Sequence, residues 1–221
     1  MTLQEAIKIR HSVRRYIDKP IPTEIIERLN TEIAECNREG SLNIQLLTEE
    51  PAAFKGFLAN YGLLHGVHNY IAMVGPESSD TDERVGWYGE RLVLLTQTLG
   101  LNTCWVGGSY SRKKVAAVIN EGEKLVCVIA IGYGVNQGHS RRSKKLESLC
   151  TVAGEMPAWF RSGMEAAMLA PTAINQQRFH FTLSSNAVSA QASTGPYSKV
   201  DLGIVKYHFE IGAGRENFKW R

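Results

Sequence analysis

Residues 158–183 read AWFRSGMEAAMLAPTAINQQRFHFTL, and three patterns follow one another within them. Phe160, Met164, Ala167 and Met168 recur at helical spacing. Pro171 then stops the helix, and a hydroxyl and three carboxamides line up in Thr172, Asn175, Gln176 and Gln177. Arg178–Leu183 alternates polar and apolar residues as a strand does, with Phe179, Phe181 and Leu183 on one face. Asn and Gln each offer a donor and an acceptor, which suits a heterocycle edge with alternating C=O and N–H groups. The same residues can also cap the helix and start the strand, and the residues alone leave both readings open.

Working outward, the stretch has an echo. Asn43-Ile44-Gln45 follows an earlier long helix as Asn175-Gln176-Gln177 follows this one. Gly89 starts an eleven-residue step to Gly100, and Gly203 starts another to Gly214. The separations between these marks differ, so the echo predicts an internal duplication without proving one. Val135–Lys145 is polar and basic with a single apolar residue, and reads as an exposed connector between two halves. Before it, Thr2 and Glu5 make a capping-box pattern for a short first helix. Ile25, Ile26, Leu29 and Ile33 form the apolar stripe of a second helix. Tyr70–Gly75 and Leu125–Gly132 read as buried strands, with a helix over Gly89–Leu101 between them.

The 221 residues suit one large domain or two interlocked halves. Apolar residues make up 43%, which excludes disorder of the whole chain. Twenty-five basic against 22 acidic residues leave +3, short of the basic surface that a nucleic-acid partner needs. No run of about 20 apolar residues or secretory leader pattern is visible, so the expectation is a cytoplasmic protein without a membrane span. Cys36, Cys104, Cys127 and Cys150 show no metal-ligand spacing and read as free thiols.

Candidate chemistry collects in a few places. Arg10-His11-Ser12-Val13-Arg14-Arg15 sets three guanidinium groups, an imidazole and a hydroxyl within six positions. Such donors can grip a phosphate, or form a solvated basic loop. Arg141, Arg142, Lys144 and Lys145 are a second cluster open to the same two readings. Val106-Gly107-Gly108 can let backbone N–H groups approach a flat ligand, or simply turn. Gly132-Tyr133-Gly134-Val135-Asn136-Gln137-Gly138 misses the dinucleotide fingerprint by one residue, and a polar basic run follows it instead of a helix. His11, His65, His68, Tyr88 and Tyr110 are conceivable proton donors, but none is singled out.

Taken together, RHSVRRY (10–16), GLNTCWVGG (100–108), IGYG (131–134) and APTAINQQRF (170–179) resemble the FMN-dependent nitroreductase family. Arg10, Ser12 and Arg14 match its Arg-x-Ser-x-Arg/Lys motif; Ala170, Pro171, Thr172, Asn175 and Gln177 match its Ala-Pro-Ser-x-x-Asn-x-Gln motif. The resemblance implies an α+β fold with a mixed, mainly antiparallel sheet flanked by helices. It also implies FMN as cofactor, NAD(P)H as co-substrate and a small electron acceptor such as a nitroaromatic or quinone. Arg10, His11 and Ser12 would meet the phosphate and ribityl chain, and Arg14 the N1/O2 edge, where it tunes the flavin. Val106, Gly107 and Gly108 would pass near N5, Arg142 and Lys144 would add positive charge, and Pro171, Thr172, Ala173, Asn175 and Gln177 would form the opposite edge. No side-chain acid is required for hydride chemistry on flavin.

Two departures from the family pattern matter. The second motif stands about 160 residues after the first, where the family places it soon after. Arg178-Phe179 replaces the usual Pro-Trp. The moved motif implies a fused pseudo-dimer: residues 1–140 as a nearly complete half, residues 150–221 as a shortened one, together one compact unit with one flavin. The chain is then expected to be a monomer or a weak homo-oligomer. The alternative is a flavin-binding protein whose substrate cleft has degenerated.

Overall fold

The computed structural model of the chain describes residues 1–56 and 64–221. Along it run α1 (Leu3–Ile9), α2 (Thr23–Gly40), β1 (Gln45–Leu47), β2 (Asn69–Pro76), α3 (Thr81–Thr98), β3 (Asn102–Val106) and β4 (Glu123–Gly132). Then follow β5 (Cys150–Val152), α4 (Ala158–Leu169), β6 (Phe179–Ser184), β7 (Ala187–Ala192), α5 (Ser198–Ala213) and β8 (Lys219–Trp220). The chain forms two units. One holds Arg10–Thr81 and Arg91–Ser140, the other Met1–Ile9, Asp82–Glu90 and Arg141–Arg221. Residues 1–140 are thus not all in one of them.

In the first unit β1-β2-β4-β3 form an antiparallel sheet. Its central strands β2 and β4 are buried almost throughout, as the unbroken run LVCVIAI predicts for strands covered on both faces. Tyr70, Ala72, Val74, Val106, Val128 and Ala130 pack in one apolar cluster. Leu101 and Ile131 pack in another with Leu29, Ile25 and Ile26 of the α2 stripe.

In the second unit β5-β6-β7-β8 form a mixed sheet. The β5/β6 and β7/β8 pairs are parallel, and β6/β7 is antiparallel. Phe160 of α4, Phe181 of β6, Phe209 of α5, and Phe218 and Trp220 near the C-terminus stack edge and face into its core.

Helix α1 begins as the sequence predicts. The N–H of Thr2 donates to Glu5 Oε2 at 2.8 Å, and the N–H of Glu5 donates to Thr2 Oγ1 at 3.2 Å. Two backbone donors at the helix start are satisfied reciprocally. Thr2→Ala should lower unfolding free energy by about 1 kcal/mol, read from the shift of the urea midpoint.

Helix α3 corrects an expectation: it starts at Thr81, eight residues before Gly89, and ends at Thr98. Asp82 and Glu83 in its first turn favour a helix N-terminus. Thr81 and Glu90 point inward although polar, which hides the apolar period there. The chain leaves the helix through Gly100, whose φ of +81° suits a residue without Cβ.

The first part of α3 crosses α5 at two glycines. A Cβ on Gly86 would lie 2.0 Å from the carbonyl oxygen of Val200, and a Cβ on Gly203 would lie 1.9 Å from that of Glu83. Each glycine meets the carbonyl three positions before the other, the reciprocal pattern of a two-fold contact. The spacing agrees: Thr81 and Ser198, Gly86 and Gly203, and Asn102 and Lys219 are each 117 residues apart. Gly86, not Gly89, is the α3 glycine that lies against α5 beside Gly203.

Candidate functional site

The expected site residues fall into two sets. Arg10, His11, Ser12, Arg14, Val106, Gly107 and Gly108 belong to the first unit; Arg142, Lys144, Pro171, Thr172, Ala173, Asn175 and Gln177 belong to the second.

In the first unit, residues 10–17 run as an extended segment tied at many points. Ser12 bridges Thr103 at the head of β3, and the N–H of Val13 donates to Thr103 O at 2.9 Å. Tyr16 N donates to His65 O, His65 N to Arg14 O, and Val135 N to Arg15 O. Val13 and Tyr16 anchor the segment in the core, while His11, Ser12 and Arg14 stay half-buried. Arg10 is only 7% exposed, unusual for a guanidinium.

Gly134 and Gly138 lie on this segment. A Cβ on Gly134 would meet Val13 Cγ1 at 2.7 Å, and one on Gly138 would meet His11 Cβ at 2.6 Å. The near-fingerprint 132–138 is thus a cover for the Arg-Ser loop. Asn102 fixes that cover: its Oδ1 accepts from Gly134 N at 3.0 Å and its Nδ2 donates to Gln137 Oε1 at 2.9 Å. Sequence reading missed Asn102 and Gln137. At the far end of β3, Gly108 is exposed and a Cβ there would meet nothing within 4 Å.

In the second unit, the amide-rich stretch forms a tight turn. Ile174, Asn175 and Gln177 take φ of 47°, 56° and 44°, and Ile174 is 93% exposed at the tip. The turn gathers the second basic cluster. Asn175 Nδ2 donates to Arg142 O at 2.8 Å, leaving its Oδ1 without a hydrogen bond among the described residues. Gln177 Oε1 accepts from Lys144 N at 2.7 Å, and Lys144 Nζ donates to Gln177 O at 2.9 Å. Gln177 Nε2 donates to Met168 O at 3.2 Å, and the whole residue is 2% exposed. Its carboxamide is spent on the scaffold. Thr172 Oγ1 accepts from Gln177 N at 3.1 Å.

Asp201 of α5 closes the turn from behind. Its oxygens accept from Ala173 N at 2.9 and 3.1 Å, and Oδ2 accepts from Gln176 Nε2 at 2.8 Å. The one sequence signal was an acid within the apolar run Val200–Val205.

Asn43–Gln45 makes a similar clamp in the first unit. Gln45 Oε1 accepts from Val118 N at 2.9 Å, and its Nε2 donates to Val118 O at 2.7 Å. Asn43 Nδ2 donates to Glu123 Oε2 at 2.8 Å. Of the conceivable proton donors, Tyr110 lies in the core beside Phe54, and His65 is exposed. Among the described residues no group of His, Cys, Asp or Glu could hold a metal, and no helix is long and apolar enough to cross a membrane. All four cysteines are free and buried.

This architecture is that of the nitroreductases. A putative nitroreductase of Thermotoga maritima superposes with a TM-score of 0.67 at 21% identity, over 98% of this chain and 85% of that one. One from Desulfovibrio desulfuricans, solved in complex with FMN, gives 0.55 at 18% identity over 71% and 98%. One from Exiguobacterium sibiricum, also with FMN, gives 0.54 at 14% identity over 67% and 95%. A family model described as "Putative TM nitroreductase" matches residues 2–213, and the chain belongs to that family. None of the curated proteins matches it.

Proposed function

We propose that the protein is an FMN-dependent oxidoreductase that takes hydride from NAD(P)H and reduces a nitroaromatic, quinone or similar small acceptor. Family membership supports the class, and the FMN bound in the Desulfovibrio and Exiguobacterium relatives supports the cofactor. The observation that carries the reading is the Arg10–Arg14 segment. It is braced on the head of β3, the strand that ends at an open glycine face.

The residues fit the cofactor chemically. Guanidinium and hydroxyl donors suit a phosphate and a polyol. Gly108 has no positive φ and open space at its missing Cβ, so the fold itself does not require glycine there and leaves room for a planar ring to approach. FMN, when bound, supplies a two-electron chemistry that no side chain has. In this reading Arg10, His11 and Ser12 hold the phosphate and ribityl chain. Arg14 places a fixed cation at the N1/O2 edge, which favours the reduced state. Val106, Gly107 and Gly108 orient the ring by backbone. Arg142, Lys144, Pro171, Thr172, Ala173 and Asn175 are the second unit's candidates for flavin contact, while Gln177 acts indirectly by holding Lys144.

The matched 117-residue spacing supports a duplication in which β2-α3-β3 corresponds to β7-α5-β8 and the second copy lacks a β4. The Asn43–Gln45 clamp on Val118 supports a single flavin per chain. A pseudo-dimer that is monomeric or weakly self-associating follows from the same reading.

The test is an absorption spectrum of the purified protein before and after anaerobic NAD(P)H. A flavin spectrum at one FMN per chain, bleached by the nicotinamide and restored by a quinone, is the expected result. A colourless protein that does not take up added FMN refutes it. Arg14→Ala should lower flavin occupancy or reduction potential, measured by FMN titration and by equilibration with a reference dye.

A further inference from the structure

The turn that carries Asn175 is held in a conformation its own residues disfavour. A β-branched residue such as Ile174 enters the left-handed region only where its surroundings over-determine it. Those surroundings centre on Asp201, 3% exposed, whose two oxygens take the Ala173 N–H and the Gln176 carboxamide. Asp201 is itself anchored, its own N–H donating to Tyr197 O at 2.8 Å. Carboxylate acceptors make stronger, shorter hydrogen bonds than neutral ones.

We propose that Asp201 is a positioning residue for the flavin edge of the site. Its carboxylate holds the 173–177 turn in the shape that receives the cofactor, and protonation relaxes that hold. The proposal rests on the flavin reading above. It deepens that reading by giving the site a dependence on pH that comes from a group remote from hydride transfer.

The electrostatics agree. Burial raises the Asp201 carboxyl to about 6, against the hydrogen bonds from Gln176 and Ala173 that pull it down. No ionised side chain contributes. The charged residues on the elements around it are Lys199 and Lys206 on α5, Asp82, Glu83 and Arg84 on α3 where it crosses α5, Lys144 on the connector and Arg178 beyond the turn; Lys206 pairs with Glu83, Lys144 donates to Gln177 O and Arg178 to Thr194 O. A carboxyl raised from 3.8 to about 6 binds its proton more readily folded than unfolded, so the ionised form is the one that costs global stability. The stabilising effect of its proton is complete below the unfolded value and is lost as pH rises through about 6. The charge therefore serves the turn while weakening the fold, and the two effects separate in experiment.

Asp201→Asn and the unsubstituted protein are compared by FMN binding, followed through quenching of flavin fluorescence. Thermal unfolding without FMN and amide hydrogen exchange over residues 170–178 complete the comparison. At pH 7.5 the variant should bind FMN about five- to tenfold more weakly and exchange faster at 173–177. It should nevertheless melt at the same or a higher temperature, a combination that a merely structural role does not give. The FMN phosphate itself titrates near 6, so the ratio between the two proteins is what is read. That ratio should fall to about two- to threefold by pH 5.5, where Asp201 of the unsubstituted protein is mostly neutral. Equal affinities at pH 7.5, a ratio that does not narrow, or a lower melting temperature accompanying the weaker binding overturns the proposal. If the unsubstituted protein takes up no FMN, the flavin reading fails instead. Unchanged exchange at 173–177 would then overturn the role of Asp201 in the turn.

Discussion

Gly203→Ala should destabilise the protein by about 3 kcal/mol, moving the urea midpoint down by about 1 M. The added methyl would sit 1.9 Å from the carbonyl oxygen of Glu83 and 2.6 Å from the N of Trp87. Both are backbone atoms of α3, so no rotamer change relieves the clash. The helices must separate, and Trp87 must then leave Tyr207, whose ring centre lies 4.8 Å away. Gly86→Ala should behave alike, because its methyl would meet Val200 O at 2.0 Å. Gly108→Ala is the control. It adds the same atom into open space and should leave the midpoint within about 0.5 kcal/mol. Equal effects at positions 203 and 108 would show that the crossing does not set the stability.

His208→Ala should cost about 3–5 kcal/mol, measured by urea unfolding at pH 7.5. His208 and Glu90 are both fully buried, with Nε2 and Oε1 2.8 Å apart. His208 Nδ1 lies 3.0 Å from Ala166 O, which can only accept, so Nδ1 carries a proton. One further proton is shared between Nε2 and the Glu90 carboxyl, whichever group holds it. Removing the imidazole leaves that carboxyl in a dry core without its ring partner. Glu90→Gln, which can still donate to Nε2, should cost much less. A paired replacement by apolar residues, Glu90→Leu with His208→Phe, should recover most of the loss. A His208→Ala variant within about 1 kcal/mol of the unsubstituted protein would contradict the account.

The sequence legibility differs from element to element for physical reasons. Strand β4 was plain because LVCVIAI is apolar at every position, a pattern that needs no knowledge of what covers it. Helix α1 was plain because its capping box is local. The start of α3 was not, because polar Thr81 is buried against Ser78 and Pro76, while Glu90 and the turn around Gly86 face inward and find their partners far along the chain. The period of Leu and Val becomes regular only past Gly89, and the sequence reading began there. Strand β7, AVSAQA, has too little apolar contrast to announce itself; its place is set by pairing with β6. In the site, Arg10, Ser12 and Asn175 were legible as residue types in a motif. That Gln177 is buried as scaffold, and that Asp201 and Asn102 hold the two loops in shape, depends on hydrogen bonds across 28 to 35 positions, which no local window contains.

The crossing of α3 and α5 also limits how this chain can change. Two glycines face each other only if each stands at the right distance from its helix start, and each helix start is fixed by the strand before it. A deletion of one residue within either helix turns its glycine about 100° off the contact and puts a side chain against a carbonyl. The length between each helix start and its glycine is therefore held more tightly than the identity of the exposed side chains along it, and size variation is pushed into the intervening loops.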